Sequence, residues 1–482
     1  MVLLLPLLIP VLGAAIVLFF RRATRTALLI GTAEIAALSW LTFATYRHGS
    51  VAFGHYLRAD HLTAVFLASL CVIFALVLVY SSGYLRHLPP ERFSSVRWFY
   101  ALLFLFLFTM LASYLSSNLG LLWIFMEGTT LASALLVGFY ETEGAVEAGW
   151  KYLVVCTVGL AFALFGTIAL YLAAVKSGVA GGSALDWTSL MAAAPQLSVM
   201  KNLVKLAFVF LIVGYGTKVG FVPLHSWLPD AHAEAPSPIS AMLSAALLNC
   251  AMYALLRYDA IAVRAIGPGF SHHLLLLFGG VSILIAGLLM IVQRDLKRLF
   301  AYSSVEHMGI IATGIGLGGP LGLYGALLHT FNHSVAKSVL FFAAGNVREN
   351  LGTLRIDRIS GLTRMLPFTS GALILGGLAI VGMPPFALFV SEFAILSGAF
   401  SQARHLVAVI FLVGLTLAFG ALLFHFLHML GGEPKDTPES RKVAGTELAV
   451  IGVCAVVLLI FGVHVPAQFQ KLVEGAMAVL QQ

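Results

Sequence analysis

Apolar runs of about 20 residues follow one another along the whole chain, separated by short segments that carry most of the charge. A helix of about 20 apolar residues crosses the hydrocarbon core of a bilayer. Only 10% of the 482 residues are charged and 60% are hydrophobic. A soluble domain carries about 25% charged residues, so a soluble fold of this size could not cover its surface. The mean hydropathy of +0.97 agrees. The runs are continuous, which excludes a β-barrel with its short alternating strands. They also exclude a soluble enzyme, a disordered chain and a disulfide scaffold. The expected fold class is all-α: a polytopic membrane protein of about fourteen transmembrane helices.

The net charge of +7 does not point to nucleic acid, because the basic residues sit in short loops between apolar spans. The four cysteines (Cys71, Cys156, Cys250 and Cys454) lie far apart inside apolar runs, and no CxxC occurs. That argues against iron–sulfur clusters and structural zinc. Neither a Walker lysine motif nor a Rossmann glycine fingerprint is present, so no nucleotide cofactor is expected. Residues 1–20 lack a basic leader and are followed by Arg21, Arg22 and Arg25. They read as a retained first span with its N-terminus outside the cell.

The spans are expected near 2–20, 26–46, 61–81, 98–115, 117–139, 151–175, 202–222, 236–257, 273–292, 298–317, 321–346, 368–400, 404–429 and 445–465, with 466–482 a short amphipathic tail. With the N-terminus outside, the loops 21–25, 84–97, 140–151, 293–298, 347–364 and 431–442 face the cytoplasm. They hold 17 of the 28 lysines and arginines, outer segments and span ends hold 9, and Lys218 and Lys337 stay inside spans. This positive-inside bias supports the topology of a multi-pass membrane protein with its N-terminus outside. Loop 431–442 reads as a solvated linker.

Two spans are irregular. The run 368–400 is longer than one crossing needs and contains Gly382-Met383-Pro384-Pro385. Proline removes a backbone donor and clashes with the preceding turn, so the helix should break there. The seventh span carries Gly214, Gly216, Gly220 and Pro223, then the loop Trp227-Leu228-Pro229-Asp230. Interrupted helices in corresponding places of two halves point to an ion site at mid-membrane. Five spans separate them, which fits an inverted repeat of spans 4–8 and 9–13. The corresponding divisions are 1–97, 98–258, 259–430 and 431–482.

An ionisable group inside a membrane costs at least ~2.5–3.5 kcal/mol on insertion scales, so the few retained need a reason. Glu127 lies mid-span in the fifth run, and Lys218 follows the glycines of the seventh. If these helices touch, the two form a carboxylate–ammonium pair whose opening lets the lysine release a proton. His329, His333 and Lys337 are spaced by four and share one helical face. Such a stripe can relay protons through water. Glu392 follows the Pro384-Pro385 break, where an acid can exchange protons with a water cavity. Glu306 and His307 form a further candidate pair. Glu34, His425 and His428 are weaker candidates. His225, Asp230, His232 and Glu234 offer possible metal ligands, but their loop is short and restrained by prolines. We read it as a coupling or folding element, and expect no metal.

These residues resemble a family. Phe221-Val222-Pro223-Leu224-His225-Ser226-Trp227-Leu228-Pro229-Asp230-Ala231-His232, then Ala235-Pro236-Ser237-Pro238, is similar to the hallmark of antiporter-like subunits. These occur in respiratory complex I, Mrp-type cation/proton antiporters and membrane-bound nickel–iron hydrogenases. Ala301-Tyr302-Ser303-Ser304, His307-Met308-Gly309 and the run from His333 to Phe342 match the same family. Within it, Glu127 to Val137 followed by Trp150-Lys151-Tyr152-Leu153 looks most like hydrogenase-4 component F.

The resemblance implies a fourteen-helix module with an inverted five-helix repeat, broken at its seventh and twelfth helices. It implies that Glu127 is the acid of the fifth helix and Lys218 the lysine of the seventh. It makes His329, His333 and Lys337 the polar face of the eleventh helix, and Glu392 the acid of the twelfth. Complex I relatives place a central lysine on the eighth helix, where this chain has Asn249. Asparagine orients water but carries no proton, so the link between half-channels would depend on water, His307 or the eleventh-helix stripe. The implied function is proton translocation in a respiratory-type oxidoreductase complex, with electrons handled by partner membrane and peripheral redox subunits. The alternative is a subunit of a cation/proton antiporter with no redox partner. A further rival is a scaffold whose buried charges only hold helices together.

Overall fold

The computed structural model describes residues 2–87, 93–434 and 445–481. Its helices run α1 (Leu5–Phe19), α2 (Ala23–His48), α3 (His61–Tyr84), α4 (Phe93–Leu115), α5 (Leu119–Val137), α6 (Glu143–Lys176), α7 (Trp187–Leu197), α8 (Lys201–Val219), α9 (Leu228–Glu234) and α10 (Ser237–Met242). A π-helical turn over Leu243–Leu247 leads into α11 (Leu248–Ile266). Then come α12 (Pro268–Ile291), α13 (Leu296–Leu317), α14 (Gly319–Leu351), α15 (Leu362–Met365), α16 (Pro367–Ile380), α17 (Ala387–Ser401), α18 (His405–Leu430), α19 (Gly445–Val463) and α20 (Ala467–Gln481). Ten of the described segments are long and apolar enough to cross a membrane. Helices α13 and α14 are as long but carry most of the ionisable candidates. The fold is polytopic and nearly all helical.

Two elements depart from the expected span list. A hairpin of β1 (Ser50–Phe53) and β2 (Leu57–Asp60) joins α2 to α3, with Ser50 opposite Asp60 and Phe53 opposite Leu57. Helix α7 occupies a segment expected to be a connector. Asp186 caps it by accepting from Ser189 N, and its buried side chains, among them Leu190, Met191, Ala194 and Leu197, are spaced to share one face. Short polar side chains start the long helices in the same way. Asp60 accepts from Thr63 N at 3.0 Å, Asn118 from Gly120 N at 2.9 Å, and Asp295 from Arg298 N at 3.0 Å. Each satisfies a backbone donor that a helix start leaves open.

Contacts between connectors sort them into two ends. At one, Asp230 takes Lys151 and Arg298, Arg348 reaches Ala233 O, and Gly361 N bonds Gly431 O. At the other, Ser117 N bonds Tyr56 O, Trp187 N bonds Ser117 O, and Trp187 Nε1 donates to Arg257 O at 3.1 Å. Four of the six loops assigned to one side by charge counting, 140–151, 293–298, 347–364 and 431–442, meet in the first set of contacts, and residues 88–92 of loop 84–97 lie outside the described residues. Of the linker 431–442, residues 435–442 lie outside the described residues.

Both expected breaks are present. Helix α8 stops at Gly220, whose φ of 87° is left-handed, and the chain resumes as α9. Trp227 seals this break by donating Nε1 to Thr217 O at 2.8 Å. Helices α16 and α17 are separated by residues 381–386, with Gly382 at φ 66°. Glycine suits both places because a Cβ is disfavoured at such φ.

Helix α3 and the continuous rod from α10 through α11 lie in the interior. Tyr80 donates to Phe342 O at 2.9 Å and Asn346 Oδ1 at 2.8 Å, tying α3 to α14. The tail helix α20 buries Leu472, Val473, Ala476 and Val479 and packs on α3.

Candidate functional site

Eight of the nine membrane-embedded candidates are buried: Lys218, Asn249, Glu306, His307, His329, His333, Lys337 and Glu392 are each at most 5% exposed. None of these eight faces lipid. Glu127 is half-buried, and Thr157, which donates to its Oε1 at 2.6 Å, stands on the outer surface of α6.

Glu127 and Lys218 do not form the ion pair that contact between their helices would allow. Lys218 Nζ donates instead to Thr130 Oγ1 at 2.6 Å and Tyr152 Oη at 2.9 Å. Thr130 lies three residues after Glu127, on the same face of α5. The lysine thus meets α5 one turn beyond the acid. Tyr152 Oη also contacts Ser133 Oγ at 2.7 Å, so hydroxyls surround the ammonium group. Glu127 Oε2 is buried with no partner. Among the described residues, no hydrogen bond or ion pair joins the acid to Lys218.

Asn249 follows the π-helical turn. Its Nδ2 donates to Ala245 O at 2.9 Å, Thr330 O at 3.1 Å and Ser334 Oγ at 2.8 Å. The same Ala245 carbonyl accepts from Ser334 at 2.7 Å. A π-turn leaves carbonyls free of the regular ladder, and here α14 uses one. Asn249 therefore docks on α14 at Thr330 and Ser334, the residues that follow His329 and His333. Its Oδ1 is buried without a partner.

Helix α14 holds the three-residue stripe. His329 Nε2 is 2.9 Å from His307 Nδ1, and His329 Nδ1 is 2.9 Å from Ser391 Oγ. The His333 ring lies 5.3 Å from that of His307, and neither of its nitrogens has a partner. Lys337 Nζ donates to Phe300 O at 2.9 Å. Glu392 folds back over the break: a Cβ on Gly382 would come within 1.9 Å of its Oε2. Its Oε1 and His307 Nε2 are buried and unpartnered. Among the described residues, His307, His329 and Glu392 are the one group of three metal-capable side chains whose ligand atoms lie within 4.8 Å of one another.

The expected coupling loop is spread over different neighbours. His225 is half-buried, edge-on to Tyr302 with ring centres 5.8 Å apart. Asp230 pairs with Lys151 and, at 2.9 Å, with Arg298. His232 is buried and stacked 4.9 Å from Phe341, its nitrogens unpartnered. These residues do not converge as metal ligands. Of the weaker candidates, His425 is buried and contacts Met290 O at 3.0 Å, His428 is exposed, and Glu34 is buried on α2.

Sequence reading missed several participants. Lys297 was counted with a loop, yet it is fully buried and its Nζ donates to Ala235 O at 2.5 Å. Charge alone could not reveal this, because Lys297 sits where loop and helix α13 meet. Thr130, Tyr152, Ser334 and Ser391 had no signal except their places in the quoted motifs or beside a named acid.

The sequence family described as NADH:quinone oxidoreductase/Mrp antiporter, TM matches residues 116–420. The chain belongs to that family. This antiporter-family chain is 40% identical over 427 residues to a hydrogenase-4 component F homolog of Methylacidiphilum infernorum, covering 86% of each. It is 35% identical over 323 residues to NADH-quinone oxidoreductase subunit N of Desulforudis audaxviator, covering 67% of this chain and 62% of that one. A chain in the structure of a membrane-bound sulfane sulfur reductase, an archaeal respiratory membrane complex, superposes with a TM-score of 0.88 at 25% identity, over 99% of this antiporter-family chain and 97% of that one.

Proposed function

We propose that this chain is a proton-translocating membrane subunit of a respiratory-type oxidoreductase complex, of the hydrogenase-4 or NADH-quinone oxidoreductase kind. Partner subunits carry out the redox chemistry. One observation carries the reading: Lys218, Asn249, Glu306, His307, His329, His333, Lys337 and Glu392 are all buried, and among them His333, His307, His329 and Glu392 gather into one cluster, with Asn249 bonded to α14 beside it. So many ionisable groups in an apolar interior are costly, and mark an ion path.

The ten long apolar segments, with α1, α13, α14 and the interrupted α16/α17 counted once, make the fourteen spans. An inverted repeat is supported by the two breaks: α4 to α11 and α12 to α18 each carry an interrupted member at the same place in order. Each break holds a glycine of positive φ. In this reading the N-terminus lies outside a prokaryotic plasma membrane. Glu127 and Lys218 form one proton-loading pair, and the α13–α14–α17 cluster the other. Asn249 orients water between them. The loop of His225, Asp230 and His232 couples the halves.

The test is proton uptake into inverted membrane vesicles driven by the partner complex's electron donor. Lys218→Ala and Lys337→Ala each abolish uptake while the complex still assembles. Assembly with uptake intact in both variants would leave the buried charges a purely structural role. The antiporter alternative has one point in its favour, the His307–His329–Glu392 cluster, which has the ligand types to hold a cation. Sodium-dependent exchange in vesicles without electron donor would select it.

A further inference from the structure

Helices α1 through α4 enclose a second polar feature that the proton path does not use. A cavity of about 480 Å³ opens where α1 meets α2 and α3 meets α4. Five arginines line it: Arg21, Arg22, Arg25, Arg86 and Arg97. Among the described residues, no acid lines it and none of the five forms an ion pair. The backbone of Ala23 and Thr24 completes the wall.

We infer that this cavity is a binding site for the headgroup of an anionic phospholipid. Five guanidinium groups gathered with no counter-charge among the described residues repel one another, and each presents a planar fork suited to phosphate oxygens. The start of α2 adds to the attraction. Its N-cap, Arg22, makes no side-chain cap, and the first backbone bond into the helix is Thr26 N to Arg22 O. The preceding N–H groups and the positive end of the helix dipole therefore remain for an anion.

The surroundings select a lipid over a free phosphate. The cavity sits at the ends of helices long and apolar enough to cross a membrane, where headgroups would meet it. Phe19 (85% exposed) and Phe20 stand beside it, and Leu8, Leu12 and Ile16 on α1 and Leu29 on α2 are exposed along the same helices. That apolar surface takes acyl chains while the arginines hold the phosphate. Basic pockets between membrane helices bind such headgroups.

The test uses the full chain purified in neutral detergent, with phosphatidylglycerol, cardiolipin, phosphatidylcholine or inorganic phosphate added. Native mass spectrometry reads bound lipid, and thermal unfolding reads stabilisation. Phosphatidylglycerol and cardiolipin bind and raise the melting temperature, and phosphatidylcholine and inorganic phosphate do not. Each arginine near an anionic headgroup is worth about fivefold in affinity, so R21Q/R25Q/R86Q weakens binding roughly 100-fold. The variant K176Q/K201Q/R355Q removes as much charge elsewhere and keeps binding. Equal loss in both variants, equal binding of phosphatidylcholine, or equal stabilisation by inorganic phosphate overturns the inference. A photo-crosslinkable phosphatidylglycerol on the unaltered chain decides the matter if the triple variant misfolds. Labelling of peptides holding residues 21–25 or 86–97 supports the site, and labelling confined elsewhere refutes it.

Discussion

His307 Nδ1 lies 2.9 Å from His329 Nε2, joining α13 to α14 inside the membrane. Only one of these two nitrogens can carry a proton while the bond holds. The far side of His329 meets the Ser391 hydroxyl at 2.9 Å, next to Glu392. The far side of His307, its Nε2, is buried and unpartnered. A proton arriving at one end of this pair therefore forces a change of tautomer at the other. That is the behaviour of a relay.

His329→Gln keeps a polar side chain of similar reach but cannot pass a proton through two ring nitrogens. A positioned proton-transfer group contributes about 10²–10⁴-fold in rate, so proton uptake in vesicles should fall at least about 100-fold. Complex assembly, read by co-purification, should not change. Uptake at the unaltered rate would remove the pair from the path.

Lys218 leads to a different expectation from that of a simple salt bridge. Its ammonium group is held by Thr130 and Tyr152, so the acceptors near it matter as much as Glu127. A hydrogen bond to a charged group is worth ~1.5–3 kcal/mol. Tyr152→Phe removes one acceptor while keeping the ring beneath the lysine. Uptake should drop roughly tenfold or more. A Tyr152→Phe variant that pumps normally would show that the tyrosine hydroxyl is not needed to hold the lysine.

The sequence made the spans legible because bilayer thickness sets their length, and the breaks legible because Gly220, Gly382 and Pro384-Pro385 are local backbone signals. The burial of His329, His333 and Lys337 followed from spacing on one helix. Contacts between helices were not legible. Whether Lys218 meets Glu127 or Thr130 depends on how α5 and α8 are each set against α6, which packs on both, and no local pattern records that. The π-turn before Asn249 is built from Leu, Ser and Ala, residues equally at home in an α-helix. Helix α7 is only 11 residues long and too short to read as a span. Its connector position hid it.

Gly382 ties backbone shape to an acid. Its φ of 66° is left-handed, and the Glu392 carboxylate fills the space a Cβ would take. Gly382→Ala should cost ~1–2 kcal/mol from the backbone alone, and push Glu392 aside. Melting temperature and proton uptake should both fall. Gly371, on α16, has nothing within 4 Å of a Cβ and no positive φ. Gly371→Ala should leave uptake unchanged and stabilise by ~0.5–1 kcal/mol. Equal effects at the two glycines would contradict the placement of Glu392 over the break.

Arg257 and Asp60 separate stability from ion movement. They form a buried two-bond ion pair, each contact 2.7 Å, between α11 and the N-cap of α3. Thr63 and Tyr253 add hydrogen bonds, and the guanidinium lies 4.3 Å from the Trp187 ring centre. All of these groups belong to the end of the molecule with the β-hairpin, outside the line of proton-holding side chains. Arg257→Met leaves Asp60 buried and unpaired, at a cost of ~3–5 kcal/mol. Adding Asp60→Asn removes the orphaned charge, so the double variant should regain part of that loss. The cap bond from Thr63 N can persist, since asparagine also accepts there. Thermal unfolding of the two variants checks the order of stability. Uptake per folded molecule should match the unaltered chain in both, because the pair holds α3 against α11 and passes no proton. Loss of uptake at full stability would instead make Arg257 a member of the path.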